Sequence, residues 1–418
     1  MNSFALNTDR RKWLRAAWPL AFLLAAGLAA SADTLAPGGD PAGSESKVYQ
    51  DGRTWVQEIT GTLPAPRSIK VATEAGSVKV HGAAQPNLTY VLKKRVRAGS
   101  EEEARKLFSN FRIQAWSQGE VASFRGEFDS YRGRRQASVD FDITTPRNTA
   151  AVSASTGGGS IGVNDISGTV AVETGGGSVS LDGIGGAATA SSGGGSIELG
   201  TMGGDVAVET GGGSIRIKSA GGSVAATSGG GSIEVVSAVR AVSAETGGGS
   251  IRVQKCGAEV KVGSGGGSLE IGDTGGAVIA QTGGGSIRVW NAKGKVSAES
   301  GGGSIHLAGL THGVQVETGA GGITAEFAGG ASLTDSMLET SSGDVTVYLP
   351  ANVGVTIRGD IEAGSKNSVR SDFGELRVVS DSDQWGPHEV LVEGKINGGG
   401  PVLKIRTTTG NIVLLRAK

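Results

Sequence analysis

The sequence predicts an all-β chain: a parallel β-solenoid with an eighteen-residue coil, a right-handed β-helix or β-roll. A small mixed β domain with one helix precedes it, and a β-rich C-terminal cap follows. Three observations predict this. Gly-Gly-Gly-Ser followed by Ile, Val or Leu places Ser at 160, 178, 196, 214, 232, 250, 268, 286 and 304, at one constant spacing, and a fixed period marks a repeat architecture. Aliphatic residues alternate with polar ones in each short run, as in Val206, Val208, Ile215 and Ile217, which is the period of a strand with one buried face. Charges at one outward position also change sign from each repeat to the next. The right-handed winding follows from the rule for parallel crossovers.

Composition narrows the function classes. Of 418 residues 73 are Gly and 5% are aromatic, yet 38% are apolar, too many for an intrinsically disordered chain. A formal net charge of −1 lacks the basic footprint of a nucleic-acid binder. A single cysteine excludes an intramolecular disulfide framework.

Residues 1–32 read as a signal peptide. Arg10, Arg11, Lys12 and Arg15 form the basic region, the run Ala16 to Ala30 is apolar apart from Pro19, and Ala30-Ser31-Ala32 is a small-residue cleavage site. Cleavage is expected between Ala32 and Asp33. The apolar run is too short for a stable spanning helix; the alternative is an uncleaved N-terminal anchor. Arg10-Arg11-Lys12-Trp13-Leu14-Arg15 resembles the twin-arginine export signal. No transmembrane segment is expected after signal removal, so the protein is expected to be exported to a bacterial periplasm, cell surface or medium. Residues 33–46, rich in Pro, Gly and Ser, read as a flexible leader.

Residues 47–150 lack the repeat and read as an N-terminal β-rich domain. Strands are expected over Ile69–Val80, Leu88–Val96, Phe111–Trp116 and Ser138–Ile143, with a helix over about 101–110. Ser100 and Glu103 form its capping box, and Ala104, Leu107, Phe108 and Phe111 its apolar face. Lys93-Lys94-Arg95-Val96-Arg97 reads as a solvated strand edge.

Residues 151–325 form the regular solenoid. One buried column runs Ile161, Val179, Ile197, Ile215, Ile233, Ile251, Leu269, Ile287, Ile305, Ile323; a second runs Val152, Val170, Ala188, Val206, Val224, Val242, Val260, Val278, Val296, Val314. Such a unit buries its apolar face only by stacking on its neighbours. The glycines are expected to supply positive φ at tight turns. A Thr or Ser column from Thr156 to Thr318 points inward at the corner, where its hydroxyls are expected to bond turn backbone. Outward, Glu198, Arg216, Glu234, Arg252, Glu270 and Arg288, followed by His306, form a charge ladder between coils about 4.8 Å apart. Glu173, Glu209, Glu245 and Gln281 recur at twice the coil spacing and reveal a doubled parent unit. Ten coils would span about 48 Å.

Residues 326–418 continue as irregular β coils and a cap, beginning with a turn, Thr340-Ser341-Ser342-Gly343-Asp344-Val345, that follows the previous one by a longer, twenty-two-residue step. The repeated Thr-Gly-Gly-Gly-Ser-Ile turns, Leu338 to Val345, Tyr348-Leu349-Pro350, Ser371-Asp372-Phe373, Ile396 to Pro401 and Thr409-Gly410-Asn411-Ile412 together resemble a bacterial β-strand-repeat family whose domain is labelled "putative adhesin" and has no known function. The resemblance runs from about Ile69 to the C-terminus. It implies a fold and an export setting, with no catalytic residues.

Chemistry is sparse. Among His81, His306, His312 and His388 only His306 and His312 are close, and no metal-ligand spacing joins them. The glycine runs lack the Gly-Lys-Ser/Thr of a phosphate loop, and no nucleophile elbow is present. No catalytic, cofactor-binding or metal-binding residue is expected, and no cofactor. Cys256 reads as the replacement of a small residue near a turn, with an intermolecular bond or a reactive site as the alternatives. Trp290 stands in an outward column of small or polar residues and is the candidate surface contact. The expected function is that of a non-enzymatic protein, adhesive or structural at the cell envelope, binding a protein or polysaccharide ligand and with self-association possible. The alternatives are a self-assembling scaffold of the bactofilin kind and a glycan-processing β-helix enzyme.

Overall fold

The computed structural model describes residues 41 and 43–417, except 129–136, 365–367 and 381–387. Ala32 and Asp33, at the expected cleavage point, lie outside the described residues. Among the described residues there are 36 strands and one helix, and the strands divide into two sheets of 18.

The two aliphatic columns become the inner faces of these sheets. In one, Ile161 pairs with Val179, Val179 with Ile197 and Ile197 with Ile215, all parallel. In the other, Val152 pairs with Val170, Val170 with Ala188 and Ala188 with Val206. Each partner lies one full repeat further along the chain. We call them the isoleucine sheet and the valine sheet. Large Ile and Leu side chains face Val and Ala across a thin core, and both columns are buried. The arrangement is that of a β-solenoid.

The turn glycines act differently from expectation. None of the Gly-Gly-Gly-Ser glycines lies in the left-handed region. A Cβ at the third glycine, Gly249, would overlap the Gly231 carbonyl and the Ser232 amide, and one at the first, Gly247, would overlap the Gly229 carbonyl. At the middle one, Gly248, a Cβ meets nothing. The outer two glycines therefore serve the close approach of one coil's backbone to the next. Positive φ appears where the triplet is lost, as at Gly321 (φ 141°) and Gly343 (φ 146°).

Beside each turn the buried Thr/Ser column forms a second ladder. The Thr246 hydroxyl donates to the Gly231 carbonyl at 2.8 Å and accepts from the Gly249 amide at 3.3 Å. The same donation recurs at Thr174, Ser192, Thr210, Ser228, Ser264, Thr282, Ser300 and Thr318. Each hydroxyl pairs with half-buried turn groups that the β ladder does not reach.

Residues 47–150, set apart in sequence by loss of the repeat, share both sheets with it. Ile69–Val80 is two strands, Ser68–Thr73 and Val78–Ala83, separated by a turn, Thr73-Glu74-Ala75-Gly76-Ser77-Val78, with the spacing of the repeat. The first pairs with Ala151–Thr156 and the second with Ile161–Asn164. On their other side lie Val121–Phe128 and Ala137–Pro146, which come later in the chain. Antiparallel strands then close this end: Leu88–Val96, Thr54–Leu63 and Glu45–Asp51 on the isoleucine sheet, Phe111–Gln118 on the valine sheet. The helix Glu101–Phe108 packs on the first two of these with Ala104 and Phe108 buried. Ser100 accepts the Glu103 amide, while Glu103 reaches back to the amide of Gly99. Phe111 belongs to the following strand. The strand carrying the basic stretch is not a sheet edge, because Leu88–Val96 pairs on both sides; Lys93 and Arg95 are half-buried and Arg97, beyond the strand, is exposed. Lys94 is buried and donates to the Phe111 carbonyl at 3.3 Å, and Arg95 pairs with Asp140 at 2.9 Å.

The other end repeats the device. Val402–Thr409 lies between Ser336–Ser342 and Val355–Gly364, and Ile412–Arg416 between Val345–Leu349 and Val369–Ser371. His388–Ile396 and Leu376–Ser380 continue the valine sheet antiparallel. At each end, then, the coil next to last in space is not next to last in sequence, and neither outermost coil is free to peel away in chain order.

Candidate surface site

The outward positions of the isoleucine sheet carry the charge ladder. Glu198 is the register partner of Arg216, Arg216 of Glu234, Glu234 of Arg252, Arg252 of Glu270, and Glu270 of Arg288. Ion pairs form between Arg216 and Glu234 at 3.6 Å, Arg252 and Glu270 at 2.6 Å, and Arg288 and Glu270 at 3.5 Å. Glu270 is thus held from the coils on both sides. Glu234 also accepts from the Gln254 amide at 3.2 Å. Exposed pairs of this kind contribute about 0.2–1 kcal/mol each, but their alternation also sets register, because a slip of one coil brings like charges together.

Trp290 lies on the same outer face, two residues past Arg288 on strand Ile287–Trp290. It is 37% exposed. Its register partner on the next coil is Ala308, and Gly272 occupies the equivalent place on the preceding one. The small neighbours leave the indole uncovered.

Cys256 is buried, and its thiol donates to the Arg240 carbonyl at 3.0 Å. Burial pushes its pKa up, against a smaller lowering from backbone hydrogen bonds. That favours the thiol over the reactive thiolate.

The valine sheet has the opposite electrostatic character. Glu299 pairs in register with Glu317 and Glu317 with Glu339, three carboxylates on successive coils. Partial shielding from water, and then the charges of Glu299 and Glu339, raise the Glu317 pKa above its ordinary value. Gln281 donates to Glu299 at 3.0 Å. The sequence carried this signal in the residue before the Thr/Ser column, where Glu173, Glu209 and Glu245 recur. The close acidic run beyond Gln281 joins one regular step to one lengthened step and so escapes a fixed period. Among the described residues no three His, Cys, Asp or Glu side chains gather as metal ligands, and no helix is long and apolar enough to cross a membrane.

No family model matches the chain, and no curated protein matches it. Solved bacterial structures do. A "putative cell adhesion protein" from Clostridium sporogenes ATCC 15579 shares 11% identity over 87% of this chain and 100% of its own, with a TM-score of 0.16. A "putative adhesin" from Bacteroides fragilis NCTC 9343 shares 13% over 70% of this chain and 97% of its own, with a TM-score of 0.23. Another from Parabacteroides distasonis ATCC 8503 shares 12% over 74% of this chain and 100% of its own, with a TM-score of 0.24. The β-solenoid fold rests on the strand registers and buried columns described above.

Proposed function

We propose that the protein is exported and works without catalysis, as an adhesive or structural rod at the cell envelope. The observation that supports this reading is the constant eighteen-residue register of both sheets from Ala151 to Ala308, which repeats the same outward positions coil after coil. A stack held at every rung by backbone pairing and a hydroxyl ladder, and over the coils from Glu198 to Arg288 by alternating charges, is stiff, and it presents many copies of one surface. Repeated weak contacts on such a surface add through effective concentration. Trp290, with its uncovered indole, is the proposed single contact of larger energy.

Fractionation with protease shaving of intact cells tests the reading. Cleavage from outside supports adhesion, whereas cleavage only after the envelope is permeabilised supports a structural role. Recovery with the cytosol, or turnover of an envelope polysaccharide by the purified protein, would overturn it.

One observation favours self-assembly as a second reading. Val379 and Leu391 are register partners on the outermost strands of the C-terminal cap, and both are exposed, at 47% and 40%. Val379→Lys should then abolish concentration-dependent growth in light scattering.

A further inference from the structure

We propose that the outer face of the valine sheet docks an extended basic peptide in the polyproline II conformation, with Lys or Arg at every third position. Over the coils from Ala187 to Lys261 this face is hollowed into a groove of about 510 Å³ running along the stack. Its floor is the backbone at Val206, Val224 and Val242, and the side chains that stand on it are as small as Ala207, Ala225 and Ser243. No described strand or helix packs on this face.

Charge selects the occupant. On the isoleucine sheet Glu234 and Glu270 are paired with arginines of neighbouring coils. On the valine sheet Glu173, Glu209 and Glu245 stand in one column separated by Ser191 and Thr227; Glu209 and Glu245 flank the groove, and Glu173 continues the column one coil beyond its end. Among the described residues none of these three glutamates forms an ion pair. On the opposite edge, Asp205 is bridged by Arg240 at 3.2 Å, while Glu259 and Lys261 close one end. An apolar floor with an acidic border complements a chain that is apolar on one side and cationic on the other.

Spacing selects the conformation. The three glutamates recur on every second coil, about 9.6 Å apart for coils separated by the parallel-strand distance. Three residues of polyproline II advance about 9.3 Å and return to the same side. A β-strand repeats a side every second residue, about 6.6 Å, and misses this interval. An α-helix is about 10–12 Å across with its side chains, too wide for a groove this shallow.

Peptide binding here does not depend on where the protein resides, so its success or failure is separate from that of the envelope reading. The test is fluorescence anisotropy of labelled twelve-residue peptides with the full-length protein. A Lys-Pro-Pro repeat is expected to bind, a Glu-Pro-Pro repeat is not, and a Lys-Thr repeat is expected to bind more weakly than the first. The double variant Glu209→Gln/Glu245→Gln should weaken binding of the Lys-Pro-Pro peptide about tenfold, as loss of two complementary charges implies. Ala225→Trp, which fills the groove without altering charge, should weaken it at least as much. Melting curves establish that each variant is folded, and if Ala225→Trp is not, the glutamate variant decides. The proposal is overturned if the Lys-Pro-Pro peptide fails to bind, if the glutamate variant binds it unchanged, or if the acidic or alternating peptide binds equally well.

Discussion

The Thr246 hydroxyl stands 2.8 Å from the carbonyl oxygen of Gly231, a residue of the coil before its own. One small side chain therefore joins two coils at the place where the chain turns and the β ladder is interrupted. Replacing it with valine keeps the shape and removes the polar group, leaving the Gly231 carbonyl and the Gly249 amide without that partner. Thr246→Val should destabilise by about 1–3 kcal/mol, the range for stranding buried polar groups. Thr246→Ser, which other coils already use, should restore most of the loss. Chemical denaturation of the three proteins checks this.

Two adjacent glycines should behave oppositely. At Gly249 an added methyl overlaps backbone of the previous coil, and backbone cannot move without breaking the stack. At Gly248 it meets open space, and φ there is not left-handed. Gly249→Ala should lower the melting temperature sharply, whereas Gly248→Ala should be neutral or raise stability by up to about 1 kcal/mol through the unfolded chain. Equal effects would mean that turn conformation, not coil-to-coil approach, demands glycine.

Arg252 faces Glu234 and Glu270 on the two neighbouring coils. Arg252→Glu turns this into three like charges in a column. A loss of about 1 kcal/mol is expected, since the pairs are exposed, and it should shrink in high salt. Arg252→Gln should cost less than the reversal. Denaturation at low and high ionic strength separates the two contributions.

Glu317 gives stability a pH dependence of the opposite sign to that of a salt-bridged carboxylate. Its pKa is raised in the folded state, by partial shielding first and by Glu299 and Glu339 second. The folded protein therefore holds this proton more tightly than the unfolded chain does. The penalty is absent below the unfolded pKa, about 4.3 for Glu, and is fully present once pH exceeds the folded pKa. Glu317→Gln should leave stability unchanged in acid and increase it at neutral pH. Melting temperatures across that range should show the difference growing as pH rises.

The C-terminal segment is a rung inside the stack. Ending the chain at Gly400 removes Val402–Thr409 and Ile412–Arg416, and with them the partners of Ser336–Ser342 and Val345–Leu349 on one side and of Val355–Gly364 and Val369–Ser371 on the other. Limited proteolysis should then cut between residues 336 and 400 while residues 151–325 stay resistant. A truncated chain with its cap equally resistant would show that the interlock is not required.

The sequence by itself determined the coil length, both aliphatic columns, the inward hydroxyl column and the order of the charge ladder. Each is a relation between a residue and its counterpart one repeat away, so a fixed period reports which residues touch. Tertiary structure alone decided the ends. Val78 pairs with Ile161 and Val345 with Ile412, and neither interval is a multiple of the repeat. Thr73 to Val78 carries a Thr-x-x-Gly-Ser-Val pattern inside a stretch that reads as one strand, and only the pairing shows it to be a coil turn set between two later coils. The role of the glycines was also beyond local reading, because a carbonyl approaching from the previous coil is not a property of the turn it constrains. Periodic sequence encodes contact between equal neighbours, whereas the closure of a stack depends on contacts that occur once.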